Sequence, residues 1–310
     1  VNKPQEILND ELLEACRSGD VITVASLLNS GADVDAVHGG LGSPLLFAIM
    51  NDKIQVVRLL ISRGDDLNEG NGSPLRWATR VGVDVDVIKE LVQEGASLDL
   101  QDGRGDSPVF YAVRQQKSDI LKELMRAGSN LNLQNEVGLT PLMIAAMMGS
   151  FDMTKILLEG KHIDLNIQEN VGGWSAVHFS AVNGDSATTY ALIKAGANFD
   201  LKAKNGWTAI EMAEVKSADQ EAVLVPELSL DYGDSYNGPS DYGKVIELLR
   251  GNLVEPVTPP SQHDLDSAST TGKERSDVRD KVRELKQTTW GTREIIEKRN
   301  PDNQTDTNNN

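Results

Sequence analysis

Apolar residues recur along this chain in short helical stripes, each bounded by the same punctuation. In Thr140-Pro141-Leu142-Met143-Ile144-Ala145-Ala146, a cap residue and a proline precede an apolar run, and Gly149 follows it. Thr caps a first turn, proline is tolerated at the first helical position, and glycine supplies the positive φ that ends a helix. A second stripe, Ile156-Leu157-Leu158, then runs to Gly160. The pattern predicts two short helices joined by a tight turn.

The same start recurs as Ser43-Pro44-Leu45, Ser73-Pro74-Leu75, Ser107-Pro108-Val109, Ser175-Ala176-Val177 and Thr208-Ala209-Ile210, at steps of 30 to 35 residues. A second signal keeps pace with it: Gly31, Gly64, Gly95, Gly128 and Gly196 each close the second helix of a pair. A period near 33 headed by a Thr-Pro-Leu-His-x-Ala phrase marks a stacked repeat. Over roughly residues 9–251 the chain resembles the ankyrin-repeat family, and His178 in Ser175-Ala-Val-His-Phe-Ser-Ala181 supplies that family's motif histidine. The resemblance implies an all-α solenoid of about seven helix-turn-helix repeats with β-hairpin connectors.

The expected organisation is a disordered lead over 1–8, the repeat domain over 9–251 and a linker over 252–272. A short helical segment over 273–298 and a disordered tail over 299–310 complete it. Asn9-Asp10 is expected to open the first helix, and the first pair, carrying Glu11, Glu14 and Arg17, to cap the array with a polar outer face. Three irregularities stand out. The connector around 69–72 is short, the turn near Val81–Asp86 carries an extra residue, and Gly160-Lys-His-Ile163 adds another. In the seventh repeat, an acidic insert over 217–243 with three tyrosines separates the two helices.

Formal net charge is −17, which disfavours direct contact with nucleic-acid phosphates. A lone cysteine, Cys16, forbids an internal disulfide and suits a cytoplasmic setting, with nuclear or host-cell placement as alternatives. No apolar run reaches membrane-spanning length. The start on Val1 rather than Met leads us to expect a fragment or processed product. Neither His38, His162, His178 nor His263 has metal-ligand spacing to another, and no P-loop, dinucleotide fingerprint or nucleophile elbow is present. No cofactor and no catalysis are expected.

Recognition is the expected role: a non-catalytic scaffold or adaptor, acting as a monomer and binding a protein or peptide. The alternative is a targeting module of a larger enzyme or host-directed effector. The resemblance implies that partners meet the connector tips and the exposed side of each first helix. Those positions here include Arg104, Asp106, Trp174 and Trp207 at tips, and Arg80, Arg114, Gln115, Met147, Met148 and Asn183 near the inter-helix turns. For the two tryptophans, contact with a partner and shielding of the connector bases stand as equal readings. The arginines at 80, 104 and 114 point towards an acidic ligand.

Overall fold

The computed structural model describes residues 3–36, 42–64, 67–68, 73–218 and 240–251. Among them are fourteen α-helices and no strand. In chain order these are α1 (Gln5–Ser18), α2 (Val21–Asn29), α3 (Pro44–Met50), α4 (Ile54–Ser62), α5 (Pro74–Val81), α6 (Val85–Gln93) and α7 (Pro108–Arg114). There follow α8 (Ser118–Ala127), α9 (Pro141–Met147), α10 (Phe151–Leu158), α11 (Ala176–Asn183), α12 (Ser186–Lys194), α13 (Ala209–Ala218) and α14 (Tyr242–Leu249). Seven helix pairs follow one another, as the repeat implies.

The chain forms two compact units. One comprises Val1–Ala145 and Asp152–Asp164, the other Ala146–Phe151 and Leu165–Asn310. In the first unit, α1, α3, α5 and α7 pack in succession, and α2, α4, α6 and α8 form a parallel second row. In the second unit α11 packs on α13 and α12 on α14. The cores are aliphatic, with Leu45, Leu75, Ile88, Leu91, Leu121 and Leu124 fully buried.

The helix starts obey their punctuation. Leu46, Arg76 and Met143 donate their N–H groups to the hydroxyls of Ser43, Ser73 and Thr140, each at 3.3 Å. Ser107 is different: α7 begins after it, but its buried hydroxyl makes no hydrogen bond. Asp20, Asp84, Asp185 and Asp241 cap second helices with their carboxylates. Side chains also tie repeat to repeat. Ser97 donates to Asn68, Asn130 to Asp99 and Asp164 to Asn132 in the first unit, and Asn198 to Asn166 in the second, at 2.7 to 3.0 Å.

Several expectations need adjustment. Helix α1 begins at Gln5, inside the expected lead, because Pro4 presets a helix-entry φ and Leu8 enters the core. The outer face of the first pair also exposes Ile7 and Ile22, so it is not uniformly polar. The extra residue expected in the Val81–Asp86 turn is taken up by α5, eight residues long where α3 and α7 have seven. His162 absorbs the later insertion by adopting φ 62°, a left-handed conformation that glycine holds at 95, 128 and 196. The expected connector at 69–72, most of the acidic insert and everything past Gly251 lie outside the described residues.

Candidate functional site

Connector tips in both units are reverse turns organised by one polar side chain. In the first unit, Asp102 donates its N–H to the Asp106 carbonyl at 3.1 Å. Its carboxylate accepts the N–H groups of Arg104 and Asp106 at 2.9 and 3.0 Å, and the Tyr111 hydroxyl at 2.5 Å. Gly105 takes φ 76°, and a Cβ there would lie 2.7 Å from the Glu136 nitrogen. That contact is where Glu136 donates to the Arg104 carbonyl and joins successive tips. Asn135 repeats the arrangement, accepting from Val137 and Leu139. The hairpins thus exist as turns closed by a backbone hydrogen bond, too short to form strands among the described residues.

The second unit solves the same problem for a longer tip. Six residues separate Glu169 from Ser175, where five separate Asp102 from Ser107. The longer glutamate side chain spans the difference, accepting the N–H groups of Val171, Gly172 and Trp174 at 2.5 to 3.1 Å.

Around the Asp102 tip lies a cluster of cations and rings. The Arg80 guanidinium carbon sits 4.9 Å from the Trp77 ring centroid and 6.0 Å from that of Tyr111. The Arg114 guanidinium carbon sits 5.5 Å from the Tyr111 ring. Trp77 and Arg80 are three residues apart on α5, as Tyr111 and Arg114 are on α7, a spacing that puts each pair on one helix face. Burial raises the Tyr111 hydroxyl pKa to about 12, and its bond to Asp102 adds to the rise. Burial pushes Asp102 up too, but the Tyr111 hydroxyl and the tip N–H groups outweigh it, leaving the carboxyl below its ordinary 3.8.

The expected site residues divide sharply. Arg80, Arg104 and Gln115 are exposed in the first unit. Asp106 is not a tip contact: it is 0% exposed, paired with Arg114 at 2.5 Å and accepting from Asn135 at 3.2 Å. An isolated buried carboxylate would be costly, so its side chain turns inward to meet a cation. Arg114 is correspondingly half-buried and committed to that pair. In the second unit, Met147 and Met148 are half-buried. The Asn183 amide donates to the Ala146 and Met147 carbonyls at 3.1 and 2.9 Å, satisfying the end of α9. Trp174 is 3% exposed, 5.2 Å from the Phe179 ring, while Trp207 is half-buried. Trp174 therefore shields the core of the second unit.

His178 is fully buried in the second unit. Its Nδ1 accepts the Ser175 N–H at 3.1 Å, and its ring lies beside the backbone of Leu201 and Trp207. Burial lowers its pKa to about 4. Cys16 is buried as well. Among the described residues no His, Cys, Asp and Glu cluster is arranged to hold a metal, and no helix is long and apolar enough to cross a membrane.

Trp77, Tyr111 and Asp102 were not singled out in the sequence. Their signal is positional: Trp77 and Tyr111 each fall four residues after a Ser-Pro start, with arginine three residues on.

Helix pairs joined by short turns, with organised tips between them, define the class: a stacked helical repeat module. Residues 12–102 and 75–169 match the profile of ankyrin repeats (3 copies), and the chain belongs to the ankyrin-repeat family. It is 30% identical over 215 residues to a putative palmitoyltransferase, ZDHHC13, of Danio rerio, covering 68% of this chain and 33% of that protein. It is 34% identical over 209 residues to palmitoyltransferase ZDHHC17 of Homo sapiens, covering 66% and 33%. It is 33% identical over 102 residues to a B-cell lymphoma 3 protein homolog of Mus musculus, covering 32% and 22%. The chain spans a third or less of the length of these relatives.

Proposed function

We propose that this chain is a non-catalytic adaptor that receives a protein segment at the exposed C-terminal ends of α5 and α7, where Arg80, Val81 and Gln115 lie at the surface. The observation that carries the reading is the Arg80–Trp77–Tyr111 stack, an exposed cation resting over the half-buried Trp77 ring and the buried Tyr111 ring of the first unit. Arg and Trp concentrate binding energy at interfaces, since both bring large contact areas and directional donors. Val81, 46% exposed, and Gln115 border the stack and extend the contact surface. Cys16 and His178, two side chains able to do chemistry, are buried in the packing, which favours a binding role.

A photo-cross-linking amino acid at position 81 or 115 tests this. It should trap a partner in cell extract, whereas the same group at exposed Lys122, on α8, should not. Equal trapping at all three positions would remove the assignment.

A second reading makes the array the partner-selecting part of a larger protein. It is favoured by the palmitoyltransferases above, of which the match covers only 33%. Sequencing the native transcript and assaying its product for palmitoyl transfer distinguishes the two.

A further inference from the structure

We infer that the segment received by the α5–α7 face is an acidic peptide whose carboxylate takes the in-plane N–H donors of Arg80. The inference rests on the adaptor reading above and names the ligand chemistry. Contact between a guanidinium and a ring face uses none of its five N–H donors, which lie in the plane of the group. Both contacts of Arg80 are ring faces, and no carboxylate of the described residues pairs with it. A guanidinium placed over two rings, 4.9 and 6.0 Å from their centroids, is restrained before a carboxylate arrives, so less side-chain freedom is lost on binding.

The local charge agrees. The charged residues of α5, α7 and the 101–107 tip are four arginines, at 76, 80, 104 and 114, and two aspartates, at 102 and 106. Both aspartates are engaged, Asp102 by Tyr111 and Asp106 by Arg114. The net charge of −17 belongs to the whole chain. At physiological salt, charges beyond about 8 Å are largely screened, so this cationic island decides which peptide docks. Single-stranded nucleic acid would present phosphates to the same donors, but it runs many charges past an acidic protein. A short peptide does not.

The test is selection of a random dodecapeptide display library on the full chain, after which each enriched peptide is measured on the parent, Arg80→Ala and Trp77→Ala proteins. The expected result is enrichment of Asp- and Glu-rich peptides that lose about tenfold in affinity on Arg80→Ala and less on Arg80→Lys. Their affinity should also fall as salt rises from about 50 to about 500 mM. Neutral or basic peptides that still depend on Arg80 would overturn the acidic ligand and leave the adaptor face standing. Peptides insensitive to Arg80→Ala and to Trp77→Ala would overturn both. Tighter binding of an oligothymidine of matching length than of the selected peptides would overturn the peptide assignment.

Discussion

Arg80 and Arg114 occupy the same repeat position, seven residues after a Ser-Pro helix start, and do different work. Arg114 is held by fully buried Asp106, which also meets Asn135. Arg80 rests on the faces of Trp77 and Tyr111 with its hydrogen-bonding edge unspent. Beside α7, the 101–107 turn points Asp106 inward, and a buried carboxylate requires a cation within reach. One arginine thus stabilises the fold, and its counterpart one repeat earlier remains available for a partner.

The comparison breaks most visibly at Asp106. Asp106→Ala takes a shared buried acceptor from the Arg114 guanidinium and the Asn135 amide, and should lower stability by about 3–4 kcal/mol in urea unfolding. A loss below about 1 kcal/mol would mean that Arg114 is as free as Arg80. Slightly smaller is the acid sensitivity expected from the second unit, where His178 offers a further buried polar group committed to the fold. Its folded pKa of about 4 lies below the ordinary 6.5. The unfolded chain therefore binds the proton first as pH falls. The His178 contribution is full above pH 6.5 and is lost towards pH 4, by up to about 3 kcal/mol. His178→Asn should flatten the dependence of the urea midpoint over that window.

Tyr111→Phe keeps the ring beneath both arginines and removes the hydroxyl bond to Asp102. It should cost about 1–2 kcal/mol, since the acceptor is charged. It should also shrink the stability lost on acidification below pH 3.8, where the lowered carboxyl of Asp102 takes up its proton late in the folded state. The smallest effect belongs to Arg80→Ala, which should lower stability by less than about 1 kcal/mol, the scale of an exposed cation–ring contact.

Much of the fold was legible because its punctuation is covalent in origin: proline fixes φ where helices start, and glycine permits the positive φ where they stop. The packing partners were not. Asp106 reads as a tip residue in sequence, and nothing local says that its side chain turns to a cation eight residues later and an amide in the next repeat. Trp174 and Trp207 share a repeat position, yet Trp174 is buried against Phe179 while Trp207 is half-buried. The early start of α1 was missed because Pro4 opens the helix without a Ser, Thr or Asp cap. The site was legible in part: Arg80 and Arg104 are exposed as expected, but the rings that orient Arg80 emerge only when α5 and α7 are placed side by side.

On this reading, equivalent arginines divide between folding and recognition. Its most direct test measures urea midpoint and affinity for the selected dodecapeptide together, on Arg80→Ala and Arg114→Ala. Arg80→Ala should nearly keep the midpoint and lose about tenfold in affinity, while Arg114→Ala should lose about 2–3 kcal/mol of stability. An Arg80→Ala protein that unfolds early yet binds the peptide as well as the parent would contradict it.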